Sequence, residues 1–111
     1  MIVIGSQTAL STAANTKSAD LVGGTYQFVG KGTISVAARG SATGMNITVL
    51  VGGVALVNDQ AIPYTGTAGA ISIRDHVVSE QLMAGGRVEC YLRNVTGGAL
   101  TTDLLIGFTP A

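Results

Sequence analysis

Hydrophobic and polar residues alternate along most of this chain, and pairs of glycines interrupt the alternation at intervals. A two-residue period places every second side chain on one face of a β-strand, and glycine clusters are typical of the turns between strands. Residues 45–51 alternate most regularly, and Gly52-Gly53 follows them. A type I′ turn needs a positive φ at both central positions, which glycine adopts readily, so we predict a hairpin here. Its predicted pairs are Val51 with Val54 and Val49 with Leu56.

A second hairpin is predicted around the loop Gly30–Gly32. Residues 25–29 and 33–36 alternate on either side of this loop, and a three-residue loop sorts the apolar and polar positions of both strands onto matching faces. The predicted pairs are Phe28 with Ile34, Tyr26 with Val36, and Gln27 with Ser35.

A third hairpin is predicted around the loop Gly97–Ala99, between residues 88–92 and 104–108. The predicted pairs on its apolar face are Leu92 with Leu104, Cys90 with Ile106, and Val88 with Phe108. The same register places Arg93 opposite Asp103 on the outer face, where opposite charges contribute roughly 0.2–1 kcal/mol.

The segments between these hairpins carry weaker signals. Pro63 confines residues 60–64 to an edge strand or a bend, because proline lacks the N–H that a central strand needs. Residues 76–83 fit one or two helical turns and a strand about equally well. The remaining expectations are a loop over residues 11–20, a turn over residues 65–69 and a short strand over residues 70–73.

No helix of ordinary length is required anywhere, and the pattern favours about seven to nine short strands. At 111 residues and 11.1 kDa, the chain has the size of one domain, because hydrophobic cores of this size rarely divide. We therefore predict an all-β fold, a single-domain antiparallel β-sandwich over residues 1–111. Its strand order is left open between jelly-roll and immunoglobulin-like.

The amino-acid composition of the chain limits which classes of partner molecule we expect. Charged residues make up 11% of the chain, the net charge is zero, and residues 40–58 carry no charge. A neutral surface lacks the basic patch of a nucleic-acid binder, and no apolar run approaches the roughly 20 residues that span a bilayer. We therefore expect no nucleic-acid or membrane partner. The uncharged strands near residues 1–10 and 45–57 are expected to be covered by this chain or by a neighbouring molecule.

Residues able to carry chemistry are few. Cys90 is the only cysteine and His76 the only histidine, so neither a disulfide nor a histidine- or cysteine-based metal site is expected. An enzyme would need a cleft joining His76 to at least two carboxylates. We predict no catalytic, cofactor-binding or metal-binding residues, no cofactor and no small-molecule substrate. Cys90 is expected to be a small buried hydrophobe.

Two further features concern the ends of the fold and its charges. Residues 1–5 lack the charged lead and longer apolar region of a signal peptide, so we predict a first strand there and a protein that is assembled inside the cell. Six of the twelve charges lie within residues 74–93. This segment is either a solvated face or a mixed-charge contact region that fixes register with a partner.

Two stretches resemble a known class of protein, namely residues 55–64 (ALVNDQAIPY) and residues 85–89 (GGRVE). With the high content of glycine, alanine, threonine and valine, they resemble the small β-rich virion proteins of bacteriophages, the capsid decoration (cement) and minor capsid proteins. The resemblance implies a homo-oligomer, often a trimer, that coats a capsid shell, bridges subunits of the major capsid protein and resists internal pressure. Residues 1–20 would be the only docking arm.

The leading hypothesis is therefore a non-enzymatic virion structural protein on the capsid surface. The alternative is a carbohydrate- or receptor-binding module of a phage fibre or an adhesin. Exposed tyrosine or aspartate side chains clustered in a groove would favour the alternative, and Tyr64 and Tyr91 are the available aromatic contributors.

Overall fold

The computed structural model describes residues 2–22, 28–62 and 76–111. These residues form eight β-strands and no helix, which confirms the predicted all-β fold. The strands are β1 (Ile2–Thr12), β2 (Phe28–Val29), β3 (Gly32–Gly40), β4 (Met45–Val51), β5 (Val54–Ala61), β6 (His76–Met83), β7 (Gly86–Asn94) and β8 (Leu100–Pro110).

The strands form two antiparallel four-stranded sheets that pack face to face as a β-sandwich. One sheet has the order β1-β8-β3-β6 and the other the order β2-β7-β4-β5. This is the order of an eight-stranded jelly roll, in which the chain passes repeatedly from one sheet to the other. It differs from the immunoglobulin order, so the structure favours the jelly roll among the two alternatives.

The core lies between the two sheets and follows directly from the alternation. Every second residue of β4 is buried, beginning with Met45, and the facing strand β8 contributes Leu104, Ile106 and Phe108. Cys90 is fully buried in the same core, as predicted. Residues 76–83, which fitted a helix or a strand, form the edge strand β6.

The hairpin at Gly52-Gly53 is confirmed, with one change of register. Gly52 has a φ of 59° and Gly53 a φ of 83°, and Val51 pairs with Val54. Val49, however, pairs with Val57 rather than with Leu56, because an irregularity in β5 inserts one extra residue.

The other two predicted hairpins are wrong. Phe28 pairs with Arg87 of β7, whereas Ile34 lies in the opposite sheet and pairs with Phe108 and Gln81. Tyr26 lies outside the described residues. The alternation identified the buried face of β3 correctly but not that of β2, where Phe28 is exposed and Val29 packs against the core. It also contains no information on whether the chain turns back within one sheet or crosses to the other.

The same crossing separates β7 from β8. The six apolar residues predicted to pair across this hairpin are all buried, but they face one another from different sheets. The predicted pair of Arg93 with Asp103 is therefore wrong: Asp103 pairs with Arg39 of β3, and Arg93 pairs with Asp59 of β5.

The predicted loop over residues 11–20 is partly strand, since β1 continues to Thr12. The residues that follow run beside β7: the backbone N–H of Ser18 donates to Leu92 O at 2.7 Å, and that of Leu21 donates to Cys90 O at 2.8 Å. The side chain of Asp20 accepts from the backbone N–H of Cys90 at 3.1 Å. This segment thus closes the part of the β7 edge that the two-residue strand β2 leaves open.

Strand β5 is not covered by this chain, as six of its eight residues are exposed. The expectations for Pro63, for the turn at 65–69 and for the strand at 70–73 lie outside the described residues. The described part of the chain contains no helix long and apolar enough to span a bilayer.

Candidate functional site

Two surface features of the sandwich have the form of interaction sites. The first is a polar cavity of about 170 Å³ on the outer face of the sheet β2-β7-β4-β5. We call it the polar cluster, and it is lined by Lys17, Thr48, Asn58, Asp59, Tyr91 and Arg93.

Asp59 reaches this cavity because β5 is irregular at that point. Its φ is 51°, in the left-handed region that aspartate adopts more readily than most residues. Its backbone N–H donates to Oγ1 of Thr48 on the neighbouring strand at 2.9 Å. Bulged positions of edge strands commonly redirect a side chain, and here the carboxylate is turned across β4 towards β7.

Asp59 and Arg93 form a two-pronged ion pair within the polar cluster. Nε of Arg93 donates to Oδ1 at 2.9 Å, and Nη2 donates to Oδ2. The hydrogen bond from Arg93 holds the pKa of the Asp59 carboxyl below its ordinary value, and the carboxylate in turn raises the pKa of Arg93. Both side chains are over two-fifths exposed, so screening by solvent makes this pair a small contributor to stability.

Tyr91 forms the aromatic part of the cavity. Nζ of Lys17 lies 4.4 Å from the centre of the Tyr91 ring, within the range of a cation–π interaction. The Tyr91 hydroxyl donates to Oε1 of Glu89 at 2.9 Å, and this hydrogen bond raises the pKa of Tyr91. The cavity therefore offers hydrogen-bonding groups of both kinds beside an aromatic ring.

The second feature is an apolar groove between the edge strands of the two sheets. Its volume is about 460 Å³, and we call it the edge groove. It lies between β5 and β6 and is lined by Val51, Gly52, Val54, Leu56, Gln81, Leu82, Met83, Ala84 and Gly85. None of these nine residues is charged, and Val54 and Leu82 are 66% and 72% exposed.

Glycines shape the end of the edge groove, where two turns pack together. The backbone N–H of Gly52 donates to Arg87 O at 2.9 Å. A Cβ on Gly86 would lie 2.8 Å from Cα of Gly52, so a larger residue would force the turns apart. The edge groove therefore depends on the glycine pairs that interrupt the alternation of the sequence.

The sequence anticipated these surfaces only in part. Arg87, Glu89, Tyr91 and Arg93 belong to the charged segment noted above, and their outward side chains line one face of β7. Arg74, Asp75 and the side chains of His76 and Glu80 lie outside the described part of the chain. Lys17 and Asp59 were not recognised, although a single charge within the otherwise neutral strand β5 was a signal for Asp59.

Two observations concern the reactive and metal-binding residue types of the described ranges. Burial among apolar side chains raises the pKa of the Cys90 thiol to about 12, which keeps the sulfur protonated and unreactive. No group of three histidine, cysteine, aspartate or glutamate residues in the described parts of the chain is placed to hold a metal ion.

Comparison of this chain with protein families, with curated proteins and with solved structures gives no match.

Proposed function

We propose that this protein is a non-enzymatic virion structural protein, a decoration or cement protein that self-associates on a phage capsid and stabilises the shell. The observation that carries the proposal is the exposed side of the sandwich formed by β5, which has one charged residue, and by the uncharged edge groove. An exposed apolar groove beside an uncovered edge strand is expected where another molecule covers it.

The distribution of charge supports an interface on this side. Six residues of β5 are exposed, yet Asp59 is its only charged residue, and the edge groove has none. Charged residues are depleted at the centres of protein interfaces and enriched on free surfaces. An edge strand left bare would also be open to uncontrolled pairing, so a specific partner on β5 removes a hazard of the fold.

The sequence resemblance falls on the same part of the molecule. Residues 55–61 belong to β5, and Gly85 lines the edge groove. Jelly rolls are frequent among viral capsid proteins, but they also occur in lectins, so the fold alone does not choose between the two candidates.

The mechanism is association without chemistry. We expect the partners to be further copies of this chain and the major capsid protein, on the capsid surface after assembly in the host cytoplasm. A specific contact buries about 800 Å² on each partner. Modest contacts repeated over a lattice add up to strong attachment, because each one makes the next effectively intramolecular.

The test combines the mass of the protein in solution with its binding to shells. We expect light scattering to give a closed oligomer at micromolar concentration, and we expect the protein to sediment with shells of the major capsid protein from the same virus. A monomer that stays in the supernatant at saturating shell concentration would contradict the proposal.

The polar cluster supports carbohydrate binding as a second candidate function. Tyr91 and Asp59 share one exposed cavity there, the arrangement that favours a binding module. Titration with saccharide libraries, followed by NMR shifts of the residues around the cavity, tests this candidate. Binding that is lost in Y91A and retained in V95S would support it, and no shift with any saccharide would exclude it.

A further inference from the structure

We infer that the polar cluster binds an acidic sugar, and that Lys17 is the residue that selects the carboxylate of this sugar. The inference rests on the carbohydrate-binding candidate, because it names the class of saccharide, and it does not depend on self-association.

The polar cluster contains two positive charges and one negative charge. Lys17 and Arg93 are partners in a β-bridge, so the two cations lie side by side on the outer face of the sheet. Arg93 is paired with Asp59 through two hydrogen bonds. Lys17 forms no ion pair with any carboxylate of the described residues, and its ammonium group lies over the ring of Tyr91 instead. A ligand with one negative charge would therefore balance the charge of the cavity.

The positive charge of Lys17 acts on groups within the cavity. The hydrogen bond from Arg93 is the main cause that lowers the pKa of the Asp59 carboxyl, and the charge of Lys17 lowers this pKa further. Glu89 does not neutralise Lys17, because it is outside the cavity lining and its Oε1 lies 3.9 Å from Nη1 of Arg87. The cavity thus attracts a negative charge towards Lys17.

Asp59 adds the requirement that the ligand donates hydrogen bonds. An ionised carboxylate only accepts, at roughly four positions. Arg93 donates to each oxygen and Asn46 also hydrogen bonds to the group, so about one position remains for a ligand. The exposed amide of Asn58 adds donors and an acceptor beside it. Hydroxyl groups suit both side chains, whereas a phosphate group brings more negative charge, which Asp59 repels.

The size and the aromatic wall of the cavity favour a single sugar ring. Its volume of about 170 Å³ is below the roughly 300–1,000 Å³ of sites for drug-sized ligands. Lys17 is exposed, so its ammonium group is free to move from the Tyr91 ring to the carboxylate of a ligand. The ring face that it leaves is then open to the C–H groups of the sugar. A carboxylate, hydroxyl groups and an apolar face occur together in a uronic acid.

The experiment is a titration with D-glucuronate, followed by NMR shifts of the residues around the cavity. Glucose is the matched ligand, because it has the same ring with a hydroxymethyl group in place of the carboxylate, and acetate supplies the carboxylate without the ring. The variants are K17Q, which removes the charge, and K17R, which retains it.

K31Q is the matched control variant. Lys31 is also exposed, but it follows β2 at the other end of β7, roughly 20 Å away along the strand. The urea midpoint of each variant establishes that it is folded.

We expect glucuronate to bind at least about tenfold more tightly than glucose or acetate, the effect of adding a charge-assisted hydrogen bond to the contacts of the ring. We expect K17Q to lose this preference and K17R and K31Q to retain it. Binding of glucuronate should weaken as sodium chloride is added, because Lys17 is exposed and its charge is screened.

Each contrary result has a separate meaning. Equal binding of glucose and glucuronate overturns the selection of an acid and leaves the carbohydrate-binding candidate standing. Equal binding of acetate and glucuronate shows a site for simple anions only, which also overturns the inference. A preference for glucuronate that survives in K17Q overturns the role of Lys17. An absence of shifts with glucuronate overturns the inference as a whole, and the self-association is tested separately by the mass in solution.

Discussion

Arg39 and Asp103 form a buried ion pair within the sheet β1-β8-β3-β6. The two residues face each other across β3 and β8, and Nε and Nη2 of Arg39 donate to Oδ2 of Asp103 at 3.2 and 3.0 Å. Their side chains are only 5% and 7% exposed. Removing one member of such a pair leaves a buried charge whose loss of hydration is no longer compensated.

We therefore expect R39M to lower the free energy of unfolding by about 3–5 kcal/mol, and the double variant R39M/D103L to recover most of that loss. Urea denaturation measures both changes. R93M is the matched control, because it removes the arginine of an exposed pair, and its urea midpoint should stay close to that of the wild type. A loss in R93M as large as that in R39M would contradict the argument from burial.

Cys90 makes stability depend on pH in the alkaline range. Burial, with a smaller effect from Asp20, raises the pKa of its thiol from an ordinary value of 9.0 to about 12. The folded state therefore keeps a proton that the unfolded state has lost. The contribution of this group is complete below pH 9 and is lost as the pH rises towards 12, at about 1.4 kcal/mol per pH unit.

The measurement compares urea unfolding at about pH 8 and about pH 10.5 for the wild type and C90A. We expect the wild type to lose more stability over this interval than C90A, which has no thiol to titrate. Equal losses in the two proteins would show that Cys90 does not govern the alkaline limit.

At the scale of residues, the sequence identifies the buried apolar side chains well and the polar partners poorly. The alternation identified Val88, Cys90 and Leu92 as one buried face, because burial is a local property of a strand with one face to the core. The partner of Arg93 depends instead on which strands become neighbours, and that is decided by the packing of the whole chain. For this reason Arg93 was assigned to Asp103 rather than to Asp59.

At the scale of elements, the irregularity of β5 at Asp59 connects a backbone conformation to the polar cluster. A positive φ is accepted by glycine without strain and is unfavourable for a β-branched residue. We therefore expect D59V to lower the urea midpoint clearly more than D59G, although both substitutions remove the ion pair with Arg93. Equal urea midpoints for D59V and D59G would mean that the backbone at position 59 accepts either residue without strain.

The three predicted hairpins show which connections between strands the sequence pattern predicts and which it does not. Gly52-Gly53 predicted one hairpin correctly, because a two-residue type I′ turn needs a positive φ at both central positions and both glycines adopt it. The loops around Gly30–Gly32 and Gly97–Ala99 carry no comparable requirement. Chains that cross between sheets use loops of the same length and composition, so these two connections were assigned to the wrong partners.

At the scale of the whole molecule, the response to salt distinguishes self-association through apolar contacts from self-association through ion pairs. The edge groove contributes no charge and β5 contributes only Asp59, so screening by salt has little to weaken. We expect the oligomer to persist from about 50 mM to about 1 M sodium chloride, since hydrophobic contacts are not weakened by screening.

Sedimentation velocity at the two salt concentrations measures this directly. Dissociation at high salt would indicate that ion pairs between the copies hold the oligomer together instead. The sandwich itself was predictable at this scale, because alternating strands with few helical signals have few other ways to bury their apolar faces. The jelly-roll strand order was not predictable from the sequence, because it depends on pairings between distant parts of the chain.

The position of β8 has a consequence for how the protein is made. This strand is the last of the eight, yet it lies between β1 and β3 in its sheet. Until β8 has left the ribosome, β1 and β3 lack the neighbour that each needs, so this sheet closes only after translation has passed residue 110. Pairing between sequence-distant strands is intrinsically slow. Newly made chains therefore remain with open strands for longer than helical proteins of this size, which favours their protection by chaperones.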